Sequence, residues 1–294
     1  MRSLFEDKKT IAVLAIPPVI IMLFAIMAPL LVSLYFSFMK WTGFGAIKFI
    51  GIRNYVELLT ADKVFGRSLL NAVALMFVTI FIQNPVAFAV AATLTRLGEK
   101  SSRLLRTIYF IPATLSLVVV TKLWVNIFNP TYGILNKILK LAGMENIAIA
   151  WLSDTRTALW AVIWIMIWQG FGWALLFYYS GLMTLPKEIE EAARVDGATR
   201  MQLYTRIVIP YLLPVIQAVI VIDVVSSLKQ MEIIYLSTEG GPGFHTQFIA
   251  VYLYQKAFKY SEYGYGNAIS VVFVLIAVAL TIAIQRAFNK MSDQ

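Results

Sequence analysis

The chain has 294 residues, of which 60% are hydrophobic and 14% are charged, and its formal net charge is +9 at pH 7. An ordinary soluble domain contains roughly 45–50% apolar residues, so this composition excludes a soluble fold. The chain has no cysteine, which excludes disulfides, thiolate nucleophiles and thiolate metal sites. Its one histidine, His245, lies in a loop rich in Gly and Pro, and we interpret it as a solvated residue.

Six segments are apolar over about 20 residues or more, which is the length a helix needs to cross a bilayer. They cover residues 11–38, 69–94, 104–128, 157–185, 207–228 and 265–288. The first is too long for a secretory signal and has no small-residue cleavage site at its end, so we expect it to be retained. The sequence therefore predicts an all-α integral membrane protein with six transmembrane helices.

The distribution of positive charge favours both termini in the cytosol. Lys and Arg are denser in the short stretches that would then be cytosolic than in the longer outer loops, as the positive-inside rule requires. The net charge is thus explained without a nucleic-acid partner. We predict a cytosolic N-terminus at 1–10, a first span at 11–38, an outer loop at 39–68, a core with five spans at 69–288 and a cytosolic C-terminus at 289–294.

The loop between the fourth and fifth spans predicts a short cytosolic helix that ends near Asp196. Pro186 suits the first turn, acidic residues fill the N-terminal half, and Gly197 can adopt the left-handed cap. Its apolar residues fall at i, i+3 and i+4 and would form one smooth face: Ile189, Ala192 and Ala193. A helix that lies on lipid needs a bulky apolar face, so we predict that this one binds another protein.

The same loop resembles a motif of ABC importer permeases. Glu191-Ala192-Ala193, Gly197 and the run that ends at Pro210 look like the EAA motif of that family. The resemblance implies that residues 186–210 contain the coupling helix, which sits in a groove of a cytosolic ATPase. The residues it assigns to ATPase coupling are Glu191, Ala192, Ala193, Asp196 and Gly197.

The resemblance covers nearly the whole chain and narrows to the carbohydrate-uptake class, of the maltose or oligosaccharide type. Phe128-Asn129-Pro130 with Tyr132-Gly133, and the turn at 240–243, look like the first of two non-identical permease subunits. This implies a type I ABC importer permease fold in the plasma membrane of a bacterium or archaeon. It also implies a second permease subunit, a cytosolic ABC ATPase dimer and an extracytoplasmic sugar-binding protein as partners, besides membrane lipid.

No cofactor is expected in this subunit, because ATP and Mg would be bound by the partner ATPase. The residues agree with that expectation, since the sequence has no Gly-Lys dipeptide and hence no P-loop.

Candidate substrate residues lie in the fifth span, where Asp223, Ser227 and Gln230 are spaced at i, i+4 and i+7 and would share one helical face. Their carboxylate, hydroxyl and amide groups suit sugar hydroxyls, but interhelical hydrogen bonding explains the spacing equally well. The resemblance to maltose-type permeases favours substrate contact and adds Gly170, counted back from the Glu-Ala-Ala motif. Trp168 beside it would offer an aromatic face to a sugar ring, although Trp is also a common interfacial anchor.

Two other classes of function are open at this point. An ion-coupled secondary transporter would use a charge inside the membrane, and Asp223 is such a carboxylate, but this reading leaves residues 186–210 unexplained. An intramembrane enzyme would need paired acids or a Ser/His pair, whereas the adjacent Glu190 and Glu191 project in different directions from a helix. We therefore expect a permease without enzymatic activity of its own.

Overall fold

The computed structural model of this protein describes residues 8–292, which are mainly helical. Helix is the expected form for membrane spans, because lipid offers no hydrogen-bond partners to a free backbone. The predicted N-terminal segment 1–10 and C-terminal segment 289–294 lie partly outside the described residues.

Fifteen α-helices follow one another along the described chain, some of them joined by π-helical turns. The helices are α1 Lys8–Ser37, α2 Arg53–Thr60, α3 Lys63–Val78, α4 Asn84–Leu94, α5 Glu99–Thr114, α6 Leu117–Ile127, α7 Ile134–Leu141, α8 Ala158–Met183, α9 Lys187–Val195, α10 Arg200–Leu203, α11 Ile209–Tyr211, α12 Leu213–Lys229, α13 Glu232–Ser237, α14 Ile249–Tyr254 and α15 Tyr263–Ser292. The π-helical turns are Thr79–Gln83, Tyr204–Val208 and Gln255–Lys259, and Glu145–Ile147 forms a 3₁₀ turn. Strand β1 Met39–Lys40 pairs antiparallel with β2 Lys48–Phe49.

The described chain divides into two compact units. The first holds the residues up to Asp62 together with Leu253–Leu275, and the second holds Lys63–Tyr252 together with the residues from Ile276 onward.

In the first unit, Asn54 of α2 ties the end of α1 to β1. Its Nδ2 donates to the carbonyl oxygens of Ser37, at 2.8 Å, and Met39, at 3.1 Å. Gly264 of α15 lies so close to the carbonyl oxygen of Met39 that a Cβ there would collide with it. The apolar part of α1 is different, because its most apolar stretch buries no residue within this chain. Such a helix needs lipid or another subunit around it.

In the second unit, α8 packs against α4 and α5. Small side chains permit the approach of α4, since Ala87 and Ala91 are fully buried against Leu175 of α8. On the α5 side, a Cβ at Gly172 would stand 2.6 Å from the carbonyl oxygen of Tyr109. These contacts make α8 the central helix of the unit.

Within residues 8–292, four helices are long and apolar enough to cross a membrane, namely Ala12–Ser37, Lys63–Leu94, Ala158–Met183 and Tyr263–Met291. The other two predicted spans are each broken. Glu99–Thr114 and Leu117–Ile127 meet at 95°, and Arg200–Tyr211 and Leu213–Lys229 meet at 68°. The count of six spans therefore holds only if each bent pair crosses the membrane as one span.

The two breaks differ in origin. The first break lies at Leu212, two residues before Pro214. The ring of a proline clashes with the preceding helical turn, which explains why the helix breaks there. At Leu115 and Ser116, the backbone is extended, with ψ of 146° and 136°, although no proline or glycine follows in the next turn. The sequence therefore offered a reason for the first break and none for the second.

Candidate functional site

A cavity of about 310 Å³ opens in the second unit, between the end of α3, α8 and α12. Its volume lies at the lower end of the range of about 300–1,000 Å³ that is typical of small-molecule sites. The cavity is lined by both apolar and polar side chains, although the helices around it are mainly apolar. The polar residues that line it are Thr79, Gln83, Gln169, Asp223, Ser226, Ser227 and Gln230.

The predicted polar stripe of the fifth span lies on this cavity. Asp223, Ser227 and Gln230 all line it, whereas Lys229 points away and is exposed. Ser227 is 2% exposed and its Oγ donates to the carbonyl oxygen of Asp223 at 2.7 Å, so its proton is used within the helix. Gln230 ends α12 with an extended backbone, at φ −59° and ψ 124°. The spacing argument therefore placed the three residues together, while their contact with substrate stays a prediction.

Asn84 stands behind Asp223 and was not predicted. Its Nδ2 donates to Asp223 Oδ2 at 2.8 Å, and the residue is only 4% exposed. Within the described chain, the Oδ1 atom of Asn84 is buried and has no hydrogen-bond partner. Asn84 begins α4 directly after the π-helical turn Thr79–Gln83, a kind of turn often found at functional sites. The available signal was the polar pair Gln83-Asn84 before Pro85 within an apolar span.

The two candidates from α8 lie in different places. Gly170 lines the cavity, and a Cβ there would stand 3.9 Å from Gln83 Nε2. Trp168 does not line it, and its ring packs edge-on against Trp124 with centroids 5.5 Å apart. Two residues turn an α-helix by about 200°, so Trp168 and Gly170 face nearly opposite sides. The aromatic side chains that line the cavity are Trp173 and Phe177, three and seven residues after Gly170.

The predicted docking helix is present as α9, Lys187–Val195. Asp196 is its C-cap, and Gly197 follows with φ of +77°, the left-handed conformation expected of it. Glu190 and Arg194 form an ion pair of 2.6 Å along the helix. The next helix, α10, begins with a capping box between Thr199 and Gln202, which holds the end of the loop in shape.

The two alanines of α9 do not form one exposed apolar face, contrary to the prediction from the sequence. Ala193 is 7% exposed and packs on Leu203, Val208 and Leu212 of its own chain. Glu191 and Ala192 are exposed. Adjacent helical residues point about 100° apart, so Ala192 faces outward while Ala193 faces its own subunit. Ala193 therefore anchors α9 to this subunit, and its assignment to ATPase coupling stays a prediction.

The turn at 240–243, which the sequence analysis assigned to an outer loop, is a shaped loop, as its composition predicted. Gly240 and Gly243 have positive φ, of 91° and 54°. The ring Nδ1 of His245 lies 2.9 Å from the carbonyl oxygen of Pro242. Asn71 of α3 ties the loop to the helices by donating to the carbonyl oxygens of His245 and Gln247. Among the residues that the structure describes, no cluster of His, Cys, Asp or Glu could hold a metal ion.

Comparison with known proteins identifies relatives over nearly the whole chain. Residues 83–294 match the family described as binding-protein-dependent transport system inner membrane component. The chain is 32% identical to the probable ABC transporter permease protein YurN of Bacillus subtilis (strain 168), over 97% of this chain and 98% of that protein. It is 31% identical to the multiple sugar-binding transport system permease protein MsmF of Streptococcus mutans serotype c, over 92% of both.

The fold also occurs in a solved structure, that of a bacterial ABC transporter involved in the import of the acidic polysaccharide alginate. The TM-score is 0.83, the sequence identity is 23%, and the match covers 98% of this chain and 99% of that one. At this identity the likeness shows the fold alone.

Proposed function

Because the chain belongs to the family of binding-protein-dependent transport system inner membrane components, we propose that it forms the membrane pathway of an ABC importer for sugars, together with a second, non-identical permease. The chain is itself a permease subunit of an ABC transporter, with several apolar helices in the membrane. The observation that carries the proposal is the cavity among the spans, where polar side chains interrupt apolar walls. Burying such groups against lipid would be costly, so a water-filled pathway is the favourable place for them.

A sugar is the proposed substrate, most simply an oligosaccharide delivered by an extracytoplasmic binding protein. The relative MsmF is named for multiple sugars. The cavity offers hydroxyl, amide and carboxyl groups for sugar hydroxyls and the ring of Trp173 for an apolar sugar face. The proposed substrate residues are Asp223, Ser227, Gln230 and Gly170, with Trp173 in the role first given to Trp168.

A separate cytosolic ATPase dimer is the proposed source of energy, and it would bind the ATP and Mg, leaving this subunit without a cofactor. Support comes from the outward side of the loop 186–210, where Glu191, Ala192, Asp196 and Gly197 are exposed. Two large apolar side chains are exposed beside them, Val195 at 87% and Met201 at 73%. Exposed apolar groups on a short polar loop suit a protein partner. Closure of the ATPase would move α9, which Ala193 ties to the spans.

The proposed orientation places both termini in the cytosol of a bacterium or archaeon. It follows from the density of Lys and Arg, and it puts α9 on the side of the ATPase. The division of the chain into residues 1–10, 11–38, 39–68, 69–288 and 289–294 is kept with it. An ion-coupled secondary transporter has no comparable support, because it assigns no role to the exposed side of α9.

The proposal is tested by copurifying the tagged chain with the products of neighbouring genes and measuring ATP hydrolysis. Addition of sugar-loaded binding protein should stimulate hydrolysis, and the unloaded protein should stimulate it less. A chain that copurifies with no ATPase, or an ATPase indifferent to loaded binding protein, would contradict the proposed function.

A further inference from the structure

We propose that the cavity discriminates between sugars by charge, accepting uncharged sugars and rejecting acidic ones. Asp223 is the residue that discriminates, and Asn84 positions it. The inference rests on the proposed sugar transport and adds the class of sugar to it. Three features carry it, namely the lone carboxyl group, the absence of a cation beside it and the hydrogen bond behind it.

Asp223 supplies the one ionisable side chain among the described residues that line the cavity. None of these lining residues is Lys, Arg or His, and the nearest cation along the helix, Lys229, is exposed elsewhere. An acidic sugar would bring its carboxylate next to a second carboxyl group, with no positive charge from the lining residues of this chain to compensate. Charges of like sign repel more strongly between apolar walls than in water, because the effective dielectric constant is lower. An uncharged sugar avoids this repulsion.

An uncharged sugar also finds partners in the cavity. Asp223 Oδ2 accepts from Asn84, whereas Asp223 Oδ1 has no hydrogen-bond partner in the described part of the chain and can accept from a sugar hydroxyl. The amides of Gln83, Gln169 and Gln230 can each donate and accept. A site built to hydrogen-bond hydroxyls binds poorly any ligand that leaves these groups unpaired.

Asn84 acts through Asp223 and does not line the cavity itself. The residue is 96% buried, since its exposed fraction is 4%, and its amide donates across from α4 to α12. This bond holds one carboxyl oxygen and thereby aims the other into the cavity. Asn84 is therefore a positioning residue, and its loss should weaken binding of the uncharged sugar without admitting the acidic one.

The test measures sugar binding to the assembled transporter in nanodiscs, without ATP or binding protein, by saturation-transfer NMR titration. Matched pairs isolate the charge, because glucose, galactose and mannose differ from glucuronate, galacturonate and mannuronate only in a CH₂OH replaced by a carboxylate. For each pair that binds, we expect the uncharged member to bind at least about ten-fold more tightly, which corresponds to about 1.4 kcal/mol.

Asp223→Asn keeps the shape of the side chain and should bring the two affinities within about three-fold of each other, which corresponds to well under 1 kcal/mol. Ser226→Ala is the matched control, because it removes a polar group of the same cavity and should leave the ratio unchanged. If Asp223→Asn does not assemble, Gln230→Lys decides, since a cation added to the cavity should shift the ratio towards the acidic sugar.

Asn84→Ala should weaken binding of the uncharged sugar by about ten-fold and preserve the rejection of the acidic one, as expected for loss of a hydrogen bond to a charged group. Asn71→Ala is its control, because Asn71 is an equally buried asparagine of the same unit that bonds the outer loop and not Asp223. It should lower thermal stability and leave sugar affinity unchanged.

Equal or tighter binding of the acidic member by the wild type would overturn the inference while leaving sugar transport in place, as would a ratio that neither Asp223→Asn nor Gln230→Lys changes. If no member of any pair binds at any concentration tested, the inference fails, whereas the proposed sugar transport is judged separately by the stimulation of ATP hydrolysis by sugar-loaded binding protein.

Discussion

At the scale of single residues, Asp223 matters most because it is a carboxyl group placed among apolar helices and open to the cavity. We predict that Asp223→Ala lowers sugar uptake about ten-fold or more while the transporter still assembles, since a buried hydrogen-bonding group is lost. Uptake into cells and copurification of the subunits measure the two effects. Lys229→Ala, on the same helix but facing away, is the control and should transport normally.

Other outcomes of the Asp223→Ala experiment have distinct meanings. Unchanged uptake would remove Asp223 from the pathway. Loss of assembly would show that the bond from Asn84 serves to pack α4 against α12, which is the alternative left open by spacing alone.

The two tryptophans of α8 should respond differently to replacement by alanine. Trp173 lines the cavity, so Trp173→Ala is expected to lower uptake with little loss of stability. Trp168 packs on Trp124, so Trp168→Ala should lower the stability of the complex by about 2–3 kcal/mol, less than for a fully buried ring. Thermal unfolding and uptake, measured on both variants, separate the roles. The reverse pattern would restore Trp168 as the substrate residue.

At the scale of elements, α9 depends on the left-handed residue that ends it. A Cβ at Gly197 would meet no atom within 4 Å, so the cost of a side chain there is conformational only. Gly197→Val should cost about 1–2 kcal/mol locally, tilt α9 and reduce both ATPase binding and stimulated hydrolysis. Gly197→Asn is the control, because asparagine tolerates this conformation. Full coupling in the valine variant would show that α9 does not transmit ATPase motion.

The two alanines of α9 separate docking from anchoring. Ala193→Leu would overpack the cluster with Leu203, Val208 and Leu212 and should lower stability by about 1–3 kcal/mol. Ala192 is exposed, so we expect Ala192→Leu to leave stability unchanged and to weaken copurification of the ATPase. Equal effects of the two substitutions on ATPase binding would contradict the division of roles.

The sequence predicted α9 because neighbouring residues determine it. Features that depend on contacts between distant residues could not be predicted in this way. The end of α9 and its cap follow from Pro186, the acidic first half and Gly197, all within one segment. The Asn84–Asp223 bond joins residues 139 positions apart, so only the fold could bring them together. The count from the motif led to Gly170, which lines the cavity, whereas its neighbour Trp168 lies about 200° around the helix and does not line it. The break at Leu115 and Ser116 comes three residues after Pro112, but a proline disturbs the turn that precedes it, so the position of this break could not be predicted.

At the scale of the whole molecule, the number of spans depends on the two bent pairs. The chain has no cysteine, so single cysteines can be introduced freely. If both pairs cross the membrane, an impermeant maleimide added outside should label Lys140→Cys and Phe244→Cys but not Lys100→Cys and Lys187→Cys. Labelling of positions 100 and 140 from the same side would make the first bent pair a re-entrant loop.

We also predict that this permease requires a second, non-identical permease. The apolar stretch of α1 buries no residue within the chain, and one subunit supplies a cavity near the lower size limit for a small-molecule site. Reconstituted with the ATPase and binding protein but without the second permease, the chain should not transport. A monomer or homodimer that moves sugar would contradict this expectation.

Sugar uptake into proteoliposomes tests the central claim most directly. The vesicles contain this chain, the second permease and the ATPase, with Mg-ATP enclosed on the cytosolic side and radiolabelled sugar bound to its binding protein outside. We predict accumulation of label inside that requires both ATP and binding protein, and that falls when Gly197→Val replaces the native chain. Uptake that proceeds without ATP, or that follows an imposed proton or sodium gradient instead, would contradict the claim.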